Sequence, residues 1–191
     1  MNKSISNIGC RKSKTYVMSM TAMIAAVYCI LAPMAIPIGA VPISLMTLIV
    51  YVSLYLLGWR MAAISYMVYL FIGLVGLPVF AGYAGGIGKL LGPTGGYLIG
   101  VIPMAVIAGL LVDRFSSRIV QFGGLILGTL IMYALGTAWF CIVMDSVFAA
   151  ALGICVFPFI PGDIIKIIIA VIAGPILKNR LKKEGVYESV S

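Results

Sequence analysis

"IVQFGGLILGTLIMYALGTAWFCIVM", residues 119–144, carries no charged side chain and is longer than the ~20 residues an α-helix needs to cross the ~30 Å hydrocarbon core of a bilayer. A helix closes its backbone hydrogen bonds on itself, so such a run is expected to span a membrane. Comparable apolar stretches lie on both sides of it: Tyr16–Ile36, Ile43–Leu57, Met61–Leu77, Tyr97–Val112 and Ile164–Leu177. Together they predict an all-α integral membrane protein with six transmembrane helices in a single domain, 1–191. The second and fourth stretches are short enough to be interfacial or tilted, and Ser146–Phe157 leaves room for a half-helix, so five or seven elements also fit. Composition agrees, with 63% of the 191 residues hydrophobic and 9% charged, against about 45–50% apolar in soluble domains.

The formal net charge is +8, and its placement decides what it means. On a six-span path Lys3, Arg11, Lys12, Lys14, Arg60, Arg114, Arg118, Lys178, Arg180, Lys182 and Lys183 fall on one side, and the opposite loops carry only Lys89. This is the bias of cytoplasmic loops, so both termini are expected in the cytoplasm, as a basic tail over 1–15 and a C-terminal tail over 178–191 of a multi-pass cell-membrane protein. Nucleic-acid binding would need these charges on one folded face with interleaved aromatics, and the sequence does not provide that. The first apolar segment exceeds the ~7–15 residues of a signal-peptide core and is followed by further spans, so it is expected to be retained.

Chemistry is scarce. There is no histidine, the acids are Asp113, Asp145, Asp163, Glu184 and Glu188, and Cys10, Cys29, Cys141 and Cys155 show no metal-ligand spacing. A transition-metal site or a Ser-His-Asp centre has no parts here. No metal, no cofactor and no enzymatic activity are expected.

The stretch "GGIGKLLGPTGGYLIG", residues 85–100, imitates a phosphate-binding loop and fails both tests. A P-loop needs Gly five positions before Gly88 and Ser or Thr after Lys89, where this chain has Tyr83 and Leu90. A dinucleotide loop needs its third glycine one residue earlier than Gly92, and a βαβ setting. Energy for any transport must therefore come from a partner or a gradient. Seven glycines between Gly82 and Gly96, with Pro93 among them, disfavour a continuous helix at roughly 1 kcal/mol per interior Gly and 3 for Pro. A shaped extracellular loop between the third and fourth helices is expected, either a pocket wall or a plain tight connection. Gly92, Gly96 and Gly100, like Gly124 and Gly128, recur four apart and read as faces of close helix packing.

In "FPFIPGDIIKIIIA", residues 157–170, Pro158 and Pro161 interrupt the chain, Gly162 allows a turn, and Asp163 stands where an N-cap would open the last helix. Lys166 follows three residues on, nearly on the same face. Charged groups entering an apolar helix are expensive. They are either a cap with a snorkelling lysine, a self-contained pair, or an acceptor and a donor fixed for a small polar ligand.

These two stretches, with "GTAWF" at 136–140, resemble the BioY family, the biotin-specific substrate-binding subunit of energy-coupling factor (ECF) transporters, over nearly the whole chain up to Lys178. The resemblance implies a six-helix subunit that captures biotin at its outer face and relies on a transmembrane coupling protein and two cytoplasmic ATPases. It implies that Asp163 and Lys166 meet the ureido head, whose N–H groups suit a carboxylate and whose carbonyl suits an ammonium. It further implies that the loop after the third helix completes the pocket; here that loop is Gly82-Tyr83-Ala84-Gly85-Gly86, with no Asn, leaving Tyr83 and Gly85 as its candidates. Tyr97 and Trp139 are candidate apolar walls. The family's first helix presents small residues to the coupling partner, a role that falls on Ala22 and Ala26, spaced for close helix approach. The main rival is a self-sufficient ion-coupled vitamin carrier in which Asp163 binds a proton or cation. An aspartyl protease using Asp145 and Asp163 is disfavoured, because Lys166 would keep Asp163 ionised.

Overall fold

A computed structural model of the chain describes residues 14–36 and 42–183; of the tails expected over 1–15 and 178–191, residues 1–13 and 184–191 lie outside the described residues, while 14–15 and 178–183 are helical. Seven helices make up most of what is described: α1 Lys14–Leu31, α2 Met46–Leu74, α3 Ile87–Leu91, α4 Gly95–Arg114, α5 Arg118–Met144, α6 Phe148–Cys155 and α7 Ile160–Lys183. One small antiparallel pair interrupts the all-α expectation. Strand β1 (Ala35–Ile36) pairs with β2 (Ile43–Ser44), Ala35 opposite Ser44. Helices α2, α4, α5 and α7 are each long and apolar enough to cross a membrane, and α1 contributes a shorter apolar segment, Met18–Leu31.

Helix α2 takes up most of the second and third expected stretches in 29 residues, while Ile43–Ser44 form β2 instead; the helix is broken at Gly58, whose φ of 75° and ψ of 169° lie outside the helical region. That backbone state suits glycine alone among common residues. The break frees the first N–H of the second arm, and Asp113, arriving from the end of α4, accepts it: Trp59 N donates to Oδ2 at 3.0 Å. Arg60 stacks over the Trp59 ring at 5.1 Å. The expected half-helix after Ser146 is α6. The fourth helix starts at Gly95, so Gly92 belongs to the cap of α3 and not to the packing face predicted for it.

The other predicted glycines do pack. A Cβ on Gly96 would lie 2.2 Å from Trp139 Cβ, one on Gly100 3.2 Å from the Met132 carbonyl, one on Gly124 2.8 Å from Leu111 Cβ, and one on Gly128 2.9 Å from Ala108 Cβ. Backbones of α4 and α5 are thus drawn together along their length, and this is the most extensive helix pair of the bundle. Near the start of α4, Tyr28, Tyr66, Tyr69 and Phe80 form an aromatic cluster, with Tyr66 bonding the Leu98 carbonyl at 2.8 Å and Tyr69 the Val79 carbonyl at 3.1 Å. These bonds moor the Gly-rich loop to α2 and α4.

Helix α7 begins at Ile160, three residues before the predicted cap. Pro161 occupies its first turn, where a missing N–H is harmless, and Asp163 lies inside that turn with its own N–H bonded to the Phe159 carbonyl. Ile167 and Ala170 are buried, and Gly174 packs on α2, where a Cβ would fall 2.5 Å from the Tyr55 ring. Ile165, Ile168, Ile169 and Ile172 point outward, as a lipid-facing surface requires.

Candidate ligand-binding site

Because α7 opens at Ile160, the Asp163 carboxylate is turned inward rather than used as a cap. The residue is 6% exposed, and each of its oxygens has a donor. Tyr133 on α5 donates to Oδ2, while Thr47 on α2 and Lys166 on the next turn of α7 donate to Oδ1 at 3.2 and 2.9 Å. Lys166 spends its other donors on the Ser44 carbonyl at 2.8 Å and Thr47 Oγ1 at 3.1 Å. An ammonium has three donors, so Lys166 is saturated, whereas a carboxylate with about four acceptor sites keeps one in reserve. A buried pair in this setting is tolerable only because its bonds are so fully made.

The pair faces a small open cavity of about 70 Å³, whose walls also include Met46, Tyr97, Met132, Cys155 and Phe159. Apolar walls with a few convergent polar groups are the make-up of small-molecule sites. A second chamber of similar size shares Pro42, Ser44, Met46 and Tyr97 with the first and extends to Phe80, Ala81, Lys89, Thr94 and Leu98. A wider and more open depression of about 520 Å³ reaches from Lys166 and Ser44 to Gly82 and Tyr83.

Of the residues singled out in the sequence, the structure brings Asp163, Lys166 and Tyr97 into one cavity. Tyr83 stands at the outer depression, 67% exposed, with φ of 57°, an uncommon conformation for a residue with a side chain. Gly85 lies outside these linings; a Cβ there would meet the Leu77 carbonyl at 2.3 Å, so glycine lets the loop close over its own backbone. Trp139 also lies outside them, behind α4, where its indole N–H donates to the Gly92 carbonyl at 3.0 Å. Ala22 and Ala26 are exposed on α1, away from the cavity.

Thr47 and Tyr133 were not singled out. The signal for Tyr133 was present in Thr129, Tyr133 and Thr137, a polar stripe four residues apart on α5 that is buried throughout. Tyr51 bonds Thr129 at 2.7 Å and Tyr97 bonds Thr137 at 3.1 Å, so this stripe organises the wall behind the pair.

Fold and site together define a multi-pass helical membrane protein with a cavity between its helices. The BioY family matches residues 2–183, and this chain belongs to that family. Similar proteins include "Biotin transporter BioY2" of Lactococcus lactis subsp. cremoris, 33% identical and covering 93% of this chain and 98% of that one. "Biotin transporter BioY" of Thermotoga maritima is 36% identical, covering 78% and 85% respectively. A crystal structure of the S-component for biotin from an ECF-type ABC transporter is similar in fold with a TM-score of 0.78 and 30% identity, over 89% of this chain and 92% of that one.

Proposed function

We propose that this chain is the biotin-binding membrane subunit of an ECF-type vitamin importer, a transport component and not an enzyme. The observation that carries the reading is the buried Asp163–Lys166 pair facing a mainly apolar cavity in a BioY chain. The ureido group is planar, with N–H donors flanking a carbonyl. Its N–H groups suit the acceptor site left on Asp163, and its carbonyl suits the Lys166 ammonium in exchange for the Ser44 carbonyl or the Thr47 hydroxyl. That exchange would link occupancy to β2.

Six spans follow when the two arms of α2 are counted separately with α1, α4, α5 and α7. Successive arms then alternate in direction. Met46, Thr47, Tyr97, Asp163 and Lys166, all near helix starts, gather at one end, while Arg60, Arg114, Arg118 and Lys178 lie at the other. The basic end is cytoplasmic by the positive-inside rule, which sets both termini inside and the Gly-rich loop and cavity outside. The chain has no P-loop, so a transmembrane coupling protein and two cytoplasmic ATPases supply the energy.

Titration of biotin into the purified full chain tests the reading. Saturable one-to-one binding is expected, and preferential binding of a different vitamin would overturn it.

A further inference from the structure

We infer that Lys89 and Thr94 form an anion subsite at the far end of the cavity, which holds the carboxylate of the ligand whose head lies on Asp163 and Lys166; the inference rests on the biotin reading above. Two independent observations meet there. Lys89, half-buried, lines the second chamber with no carboxylate in ion-pair distance: among the described residues the ion pair is Lys166–Asp163, and no side-chain hydrogen bond engages the Lys89 ammonium. Thr94, lining the same chamber, has its Oγ1 shut off from solvent with no hydrogen-bond partner.

A polar atom left orphaned in an otherwise satisfied interior calls for a partner the protein does not itself supply. The contrast with Lys166, whose every donor is engaged, is direct. The Lys89 ammonium offers a carboxylate its donors directly, and the Thr94 hydroxyl, closed even to water as it stands, joins it once its side chain turns toward the chamber. Between the two polar ends the shared walls Pro42, Met46 and Tyr97 are mainly apolar. The cavity therefore fits an elongated molecule with a neutral polar head, an apolar middle and an anionic tail. Biotin has that order of groups.

The test compares biotin with biotinamide, which has the same length and head but a neutral tail, by calorimetric titration of the full chain in detergent. The wild type should prefer biotin by about tenfold or more, as expected for losing a charge-assisted contact. In Lys89→Met the ratio should fall toward one, through weaker biotin binding; Lys89→Arg should keep most of it. Thr94→Val should lower the ratio by a smaller factor. Equal affinity of the wild type for both ligands, or an unchanged ratio in Lys89→Met, overturns the anion subsite while leaving the biotin reading intact. Binding of neither ligand by the wild type sinks the biotin reading, and the subsite with it.

Discussion

Tyr133 on α5 donates its hydroxyl to Oδ2 of Asp163 on α7, the oxygen that neither Lys166 nor Thr47 reaches. The carboxylate is therefore oriented from three directions, and its plane is set before any ligand arrives. Preorganisation of this kind lowers the ordering cost of binding. Tyr133→Phe removes one charge-assisted bond and keeps the ring, so biotin affinity should fall by roughly 1.5–3 kcal/mol. Calorimetry alongside thermal unfolding separates the roles: a drop in melting temperature with unchanged affinity would make Tyr133 a packing residue only.

The ion pair predicts non-additivity. Asp163→Asn and Lys166→Met should each weaken biotin binding by about 1–3 kcal/mol. Each also strands a partner. Lys166→Met leaves the Asp163 carboxyl without its cation, with Thr47 and Tyr133 still beside it, and Asp163→Asn leaves Lys166 on Ser44 and Thr47. The double variant strands no charge, so its thermal stability should exceed the sum of the two losses by about 0.5–3 kcal/mol. Strict additivity in unfolding experiments would mean the pair is not coupled.

Much of the fold was legible because bilayer physics writes itself into composition: long uncharged runs became helices. The break at Gly58 was foreshadowed by the Gly58-Trp59-Arg60 interruption between two apolar stretches. The start of α7 was not, because Pro161 reads equally as a breaker and as a first-turn residue, and only the surrounding packing turns Asp163 inward. Asp163 and Lys166 stood out as charges in an apolar run. Thr47 did not, because its role depends on which of several helices lies beside α7, a long-range fact without local signature; Tyr133 sat in the Thr129, Tyr133, Thr137 stripe, which marks a buried polar face but not its partner on α7. Trp139 resembled a pocket wall by type, and the structure puts it against the backbone of Gly92 instead.

Two glycines on neighbouring helices should respond oppositely to alanine. Replacing Gly by Ala inside a helix gains up to about 1 kcal/mol from propensity alone. Gly123 has nothing within 4 Å of a new Cβ, so Gly123→Ala should raise the melting temperature. At Gly96 the new Cβ would lie 2.2 Å from Trp139 Cβ and 3.1 Å from the Leu135 carbonyl, neither of which is the loose end of a side chain. Overpacking of roughly 1–3 kcal/mol then outweighs propensity, and Gly96→Ala should melt earlier. Equal shifts in detergent would show that α4 and α5 are not held at this distance.

Ala22 and Ala26 lie on the exposed face of α1, flanked by exposed Met18, Met23 and Ile30, while Ala25 and Tyr28 on the opposite face are buried. Small residues four apart on an outward face permit another helix to approach closely, and we propose that the coupling protein docks there. Replacing both with Leu adds bulk that a lipid environment accepts and a tight helix interface does not. Biotin binding by the isolated chain should be unchanged, because neither side chain borders the cavity, and uptake by cells expressing the whole transporter should fall. The two readouts must part company for the proposal to stand. Uptake at the wild-type rate would move the docking face elsewhere, and a parallel loss of binding would mean that α1 supports the cavity itself.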